Sequence, residues 1–402
     1  MRLYLICTLG LSASSAMAND IFEYQGPYAR ANGGAGIILS QSGSAVLDNP
    51  ANLALSQSSD NYVDVAPTHL VYQVTTPDPN TKPGAINVPV LPLLSVGGSY
   101  KEPKAPMSFG YMFIPTGFGK AVEVKNFPVS VGGQTQSTDI KALQKGFKFG
   151  VGSSYRVSDR WTLGLSMLIN SAGSDTSISS KGQELVHIAY SLSSLHFNLG
   201  VNYDWDGLAR ISFTVRPSVD MYYNLKLQAL GSATQSFYRR DYRPAVLGLG
   251  LLLNSTGQFQ TFGQYAYERW VNATTYALAP TQAVAGTAPV EYLNTHNLVI
   301  GARYVLASQN KLSFAFSSYS KNKGSGLKGT DGQVLMQGRG AQDFEALDRN
   351  HYTFGYEMHN PDSDMLFYGT YIRATALSEE DTPTAGFYEL TAYMLGFGYV
   401  AH

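Results

Sequence analysis

Apolar and polar residues alternate along most of this chain with a period of two. The clearest run is ISFTVRPSVDMYYNLKLQ. In it Ile211, Phe213, Val215, Val219, Met221, Tyr223, Leu225 and Leu227 share one face, and Ser212, Thr214, Arg216, Asp220, Asn224, Lys226 and Gln228 the other. Successive side chains of a β-strand point to opposite sides, so this pattern predicts a strand with one apolar and one polar face. The run is long for a globular sheet. At ~3.3 Å per residue and a tilt of ~40° it would rise roughly 40 Å, against the about 25 Å apolar band of a membrane barrel. FKFGVGSSYRV, WTLGLSMLIN and LHFNLGVNYDW repeat the pattern. Fourteen strands are predicted, beginning near Tyr62, Leu91, Pro106, Gly146, Arg160, Leu195, Ile211, Arg243, Gln258, Thr295, Asn310, His351, Asp364 and Gly386. The first two, the ninth and the thirteenth alternate poorly.

A soluble sandwich also has one apolar face. The connections separate the two. Short links (KEP, SDR, DGLA, STG, SQ and NPDS) alternate with segments of roughly ten to thirty residues. Short turns at one end and long loops at the other mark an outer-membrane barrel. The expected fold is therefore all-β: a monomeric 14-stranded antiparallel transmembrane β-barrel. No stretch of about eighteen apolar residues exists, so membrane helices are not expected. The last strand, AYMLGFGYV, sets Tyr393, Leu395, Phe397 and Tyr399 toward lipid. It is followed by His402, where barrel insertion signals usually carry an aromatic residue.

Residues 1–18 have the layout of a signal peptide: Arg2, an apolar run from Leu3 to Leu11, and Ala16-Met17-Ala18 before the expected cleavage. Cys7 is the one cysteine, so the mature chain holds itself together without disulfides. Of the 28 basic residues only Arg2 lies in the leader, which leaves 27 against 29 acidic, a balance of −2. That is no electrostatic footprint for nucleic acid.

Residues 19–58 are too polar for a strand and too Gly-rich for continuous helix. A fourteen-stranded barrel has a lumen wider than side chains fill, and a segment of this size would plug it. The inward faces agree: Gly150, Gly152, Gly164, Gly200, Gly248, Gly250, Gly301 and Gly355 fall on the polar side of their strands, where missing side chains leave room. The division is 1–18 signal peptide, 19–58 N-terminal hatch, 59–402 barrel. GGAG is not a phosphate loop, because no strand leads into it and no Lys-Ser/Thr follows.

YARANGGAGIILSQSGSAVLDNPANLA resembles the N-terminal hatch of the FadL/TodX family of outer-membrane transporters for hydrophobic compounds. Arg30, Gly33, Gly34, Gly36, Asn49, Pro50 and Ala51 carry the likeness, and YRVSDRWTLGLSM and ISFTVRPSVD resemble later pieces of that barrel. The resemblance implies capture of a hydrophobic molecule, a fatty acid or a hydrocarbon, above the outer leaflet with its lipopolysaccharide, and lateral release into the membrane through a defect in the third strand. That strand reads PMSFGYMFIPTGFGK, so Gly110, Pro115 and Gly117 are the expected lateral gap. Leu185, Val186, Ile188 and Tyr190, in the segment after the fifth strand, are the expected capture patch. The family's fatty-acid members have longer outer loops and a basic residue near the top of the fifth strand. Here none precedes Lys181, which argues against a fatty acid.

Lys148, Arg156, Arg216, Asp220, Lys226 and Arg303 are expected lumenal charges, paired across the barrel with acids such as Asp204 and Glu357. No G-x-S-x-G, no metal-like spacing of the seven histidines and no cofactor motif is present. Neither catalysis, metal nor cofactor is expected. The alternative role is a secretion or conjugation accessory that docks proteins at outer loops such as 323–350.

Overall fold

The computed structural model describes residues 26–56, 59–75, 84–103, 105–115, 122–131, 134–229, 234–269, 294–320, 348–377 and 387–402, with short pieces at 273–275, 288–290, 327–328 and 334–336. The leader, Gly117 and nearly all of the loop 323–350 lie outside them.

One antiparallel sheet supplies the wall. Its fourteen positions are β1 (Asp60–Thr75), β2 (Gly84–Lys101), β3 (Met107–Pro115 and Val122–Val131), β4 (Gln134–Arg156), β5 (Trp161–Ser180), β6 (Gln183–Trp205) and β7 (Ala209–Arg216 and Val219–Ala229), then β8 (Gln235–Arg243 and Ala245–Leu253), β9 (Phe259–Arg269), β10 (Thr295–Val305), β11 (Lys311–Tyr319), β12 (Asp348–Asn360), β13 (Ser363–Leu377) and β14 (Phe387–Ala401). Each pairs with the next, and β14 pairs back onto β1 from Asn61↔Ala401 to Thr75↔Phe387. The β14–β1 pairing closes the ring.

Three wall positions consist of two pieces. β7 breaks at Pro217-Ser218 and β8 at Pro244 because proline has no N–H to give the ladder. The two breaks face each other, between Arg216↔Val246 and Val219↔Arg243, and both pieces of β7 stay paired with β6. β3 is described up to Pro115 and again from Val122, and both of these pieces pair with β4.

Strands 2, 4, 6 and 8 start at Gly84, Gln134, Gln183 and Gln235, well before the positions that alternation marks. Added stretches such as QTQSTDIKALQK are polar on both faces, so hydrophobic periodicity carries no signal there, while the ladder's hydrogen bonds do not depend on side-chain polarity. The expected long loop between the fifth and sixth strands is instead a two-residue turn, Lys181-Gly182, at φ 50° and 79°.

Facing is inverted relative to a soluble protein. On β6, Leu195, Phe197 and Leu199 are exposed while Ser194, His196, Asn198 and Asn202 are buried. Tyr100, Tyr155, Trp161, Trp205, Phe259, Tyr304 and Tyr399 stand outward near the short turns, as an aromatic belt does at a membrane interface. No helix among the described residues is long and apolar enough to cross a membrane.

Residues 27–55 form α1 (Pro27–Ala31), α2 (Gly36–Leu39), a 3-10 turn (Ser42–Ser44), α3 (Ala45–Asp48) and a 3-10 helix (Pro50–Leu55). α1 touches β12, β13, β14 and β1, and the Ser42–Ser44 turn touches β1 to β3. α2 touches β7 to β9, while α3 and the Pro50–Leu55 helix touch β3 to β6. A segment that touches opposite sides of a closed ring lies within it.

Candidate functional site

Helices of four to six residues cannot sustain themselves in water, and most of their carbonyls lack an intrahelical partner. The wall supplies those partners. Ser166 Oγ donates to Val46 O at 2.7 Å, Asn198 Nδ2 to Leu47 O at 3.0 Å, Thr214 Oγ1 to Asp48 O at 3.1 Å and Ser313 Oγ to Ala31 O at 2.8 Å. Gln264 takes the Ile37 N–H on its oxygen at 2.8 Å and donates to Gly34 O at 3.2 Å. The polar face that alternation marks on each strand is thus the docking face for the segment.

Asn49 is the central fastener. Its Oδ1 accepts the Ala51 N–H at 3.1 Å and so caps the helix that Pro50 opens, while its Nδ2 donates to Ile37 O and to Asn202 Oδ1, both at 3.0 Å. Asn202 in turn donates to Asn52 Oδ1 at 2.8 Å and accepts from Ser212 at 2.7 Å. Opposite Asn49-Pro50-Ala51 the wall has Gly200 and Gly164, where a Cβ would collide with the Asn49 side chain and the Pro50-Ala51 peptide respectively. Gly150 and Gly152 clear Val46, Gly248 and Gly250 clear Ile37 and Ile38, and Gly355 clears Ala31 O. Gly301 does not belong with them, because Phe262 and Phe314 of the wall itself crowd it.

Arg30 enters a fully buried ion pair with Asp64 of β1 at 2.7 Å. Tyr368 donates to the other Asp64 oxygen at 2.7 Å, which satisfies the carboxylate on both sides. Burial works against the Arg30 charge, and Asp64 overrides it, so the guanidinium is held above its ordinary pKa. Burial, with Glu357 and Asp364 nearby, raises the Tyr28 phenol well above its usual value, so it stays a neutral donor to Asp364 Oδ2 at 2.6 Å. Gly33 and Gly34 sit at φ 66° and 89°. That left-handed conformation favours glycine, and it aims the Gly33 carbonyl at the Ser317 hydroxyl. The Gly36 carbonyl accepts from Ser40 at 2.6 Å.

Two other groups of expected site residues fall differently. Leu185, Val186, Ile188 and Tyr190 are part of β6 and not of a loop, because the ladder with β5 continues to Ser180↔Gln183. Among the lumenal charges, Arg156 donates to Ala54 O at 3.4 Å and Arg216 to Leu47 O at 3.2 Å, so both fasten the segment. Arg303 donates twice to Gln260 Oε1, at 2.9 and 2.6 Å, in place of the expected acid. Asp204 pairs with Arg210 and Glu357 with Lys311. Lys148 is buried on β4 and Lys226 is exposed, while the Asp220 side chain lies outside the described residues.

Among the described residues one seam of the wall is interrupted. β2 pairs with β3 only from Lys101↔Ser108 to Val96↔Phe113, six residue pairs, although β2 stays paired with β1 up to Gly84. Beyond Val96 no ladder pairing between β2 and the upper piece of β3 exists among the described residues. Pro115 ends the lower piece, in register with Phe147 of β4. Gly110 sits lower, in intact ladder on both sides, where a Cβ would strike Leu53 of the segment; it belongs to the docking face and not to the gap.

Farther along the bore, two and three inward positions beyond Gly355 on β12, lie His351 and Arg349. The Arg349 guanidinium stands 5.3 Å from the Tyr319 ring centroid, a cation–π contact. Its Nε and Nη1, and the His351 Nε2, have no hydrogen-bond partner among the described residues. A concavity of about 920 Å³ across β9 to β14 lies among outward residues such as Phe314, Tyr352 and Tyr371, on the apolar exterior and apart from the bore.

No family model matches the sequence, and no curated protein matches it. Solved structures do resemble its fold. A Pseudomonas aeruginosa FadL homologue is similar with a TM-score of 0.67 at 12% identity, over 94% of this chain and 98% of that one. The Pseudomonas putida toluene transporter TodX is similar at 0.64 and 14%, over 94% and 98%. The Ralstonia pickettii toluene transporter TbuX is similar at 0.62 and 13%, over 94% and 99%. At these identities the likeness establishes a shared barrel fold.

Proposed function

We propose that this chain is a divergent FadL/TodX-type protein of the bacterial outer membrane that passes hydrophobic small molecules inward without energy input. In this reading residues 19–58 are a hatch, and the β2–β3 seam is the lateral exit into the bilayer. One conjunction carries it: a bore filled by a hydrogen-bonded segment beside a wall whose β2–β3 ladder stops at Val96↔Phe113, two residues before a proline. A filled bore stops water and ions, so a molecule that enters from above must leave through the side. An apolar molecule crosses that seam at little cost because the exterior beyond it is apolar.

The fold shared with two toluene transporters supports the reading, as does the apolar exterior with its aromatic rim. The described top of β5, Ile169 to Ser180, has no basic residue to meet a carboxylate, which favours aromatic or aliphatic hydrocarbons over long-chain fatty acids. The test is accumulation of radiolabelled toluene by cells lacking the gene and by cells complemented with it. Complementation restores rapid accumulation if the reading is right; equal accumulation in both strains contradicts it.

A further inference from the structure

Three side chains with metal-ligating atoms converge at the short-turn rim, away from the seam: His359 at the end of β12, Asp364 at the start of β13 and His402 just after β14. One ligand atom of each lies within 4.8 Å of the other two. His359 Nδ1 is 2.6 Å from Asp364 Oδ1, and His402 Nε2 is 3.4 Å from Asp364 Oδ2. Atoms bound at ~2.0–2.2 Å to one tetrahedral zinc ion stand roughly 3.3–3.6 Å apart, so small rotations would bring all three to one centre.

The backbone holds this cluster in place. His359 and Asp364 are cross-strand partners around the Pro361-Asp362 turn. The His359 N–H donates to Asn310 Oδ1 at 3.0 Å and the His402 N–H to Asp362 O at 2.9 Å. Tyr28, the second residue of α1, donates its hydroxyl to Asp364 Oδ2 at 2.6 Å and orients the carboxylate from behind, as an outer-shell partner does at a metal. Both imidazoles reach solvent, with side chains 39% and 21% exposed, so an ion has a path in. The transport reading uses neither imidazole.

We infer that His359, Asp364 and His402 bind one divalent transition-metal ion of the zinc class. Two imidazoles and a carboxylate suit Zn²⁺, Ni²⁺ or Cu²⁺, whereas Ca²⁺ and Mg²⁺ prefer all-oxygen sites. Three protein ligands leave a further coordination position for water. The ion ties the β12–β13 hairpin to the end of β14, and through Asp364 and Tyr28 to α1, so it staples the rim on which the N-terminal segment rests.

The test uses the purified, untagged full chain in detergent and Zn²⁺ alone, titrated against a chromogenic chelator. The expected result is one saturable equivalent that Ca²⁺ does not displace, with a thermal midpoint that rises on zinc addition. His359→Gln and His402→Gln each weaken binding at least about tenfold, with folding checked by the heat-dependent gel shift of intact barrels. Should either variant fail that check, Co²⁺ bound to the unmodified chain reads the site directly, through the d–d absorption of nitrogen and oxygen ligands. Absence of a saturable site, absence of that absorption, or equal zinc affinity in folded variants overturns the assignment.

Discussion

Two seams of the same wall, β14–β1 and β2–β3, lie two strands apart and are built differently. The closing seam runs as a ladder of 13 pairs from Asn61↔Ala401 to Thr75↔Phe387, with one irregularity between Val65 and Thr68. The other stops after six pairs at Val96↔Phe113. β2 is not the cause, because it remains paired with β1 along its whole length. The difference lies on the β3 side, whose described lower piece ends at Pro115 and whose upper piece is described from Val122. Breaks as such do not open a wall: those at Pro217-Ser218 and Pro244 face each other, and the pieces on either side stay paired. The closed seam also carries the buried Asp64 that receives Arg30, so β1 anchors the segment on that side.

The largest change should follow from emptying the bore. Deleting residues 19–58 raises ion conductance in planar bilayers at least about tenfold, because a fourteen-stranded lumen is wider than its side chains fill; unchanged conductance would mean that the segment is no plug. Next is the anchor on the closed side. Arg30→Ala leaves Asp64 charged and buried, at a cost of about 3–5 kcal/mol, seen as a lower denaturation midpoint. Gly200→Val forces a side chain into Asn49 Oδ1 and costs about 1–3 kcal/mol, with intermittent conductance as the segment loosens. Gly369→Ala, where only Leu395 is near, stays within about 0.5 kcal/mol and serves as its control. The smallest effect concerns selectivity. Arg349→Gln leaves toluene uptake within about twofold and lowers uptake of a carboxylate-bearing analogue several-fold, because the unmet guanidinium donors are lost.

The sequence reading reached the strands wherever one face met lipid, and the short turns that join them. It missed the lower-numbered ends of β2, β4, β6 and β8, where the two faces contrast too little for periodicity to register: QTQSTDIKALQK opens β4 with polar residues on both faces, and GAINVPV opens β2 with few polar residues on either. Inward glycines suggest room for a plug, yet nothing linear tells that Gly200 answers Asn49, or that Asn198 and Ser313 meet carbonyls of the segment; barrel closure decides that. Gly301 shows the limit, since its parity matches the others while its neighbours are the Phe262 ring and the Phe314 carbonyl of the wall. The histidine cluster was equally hidden. His359 and Asp364 share a hairpin, but His402 comes beside them only because β14 returns antiparallel to β13, with Ser363↔Ala401 in register.

The most direct test of the seam is a pair of disulfide locks. The mature chain is expected to have no cysteine, which gives a clean background. Ser95→Cys with Ile114→Cys joins the first positions beyond the β2–β3 ladder, and Thr68→Cys with Met394→Cys joins a pair already in register in the closed seam. With both locks confirmed by a gel shift, oxidation should block toluene uptake only in the first, and reduction should restore it. Undiminished uptake through an oxidised β2–β3 lock would contradict the account.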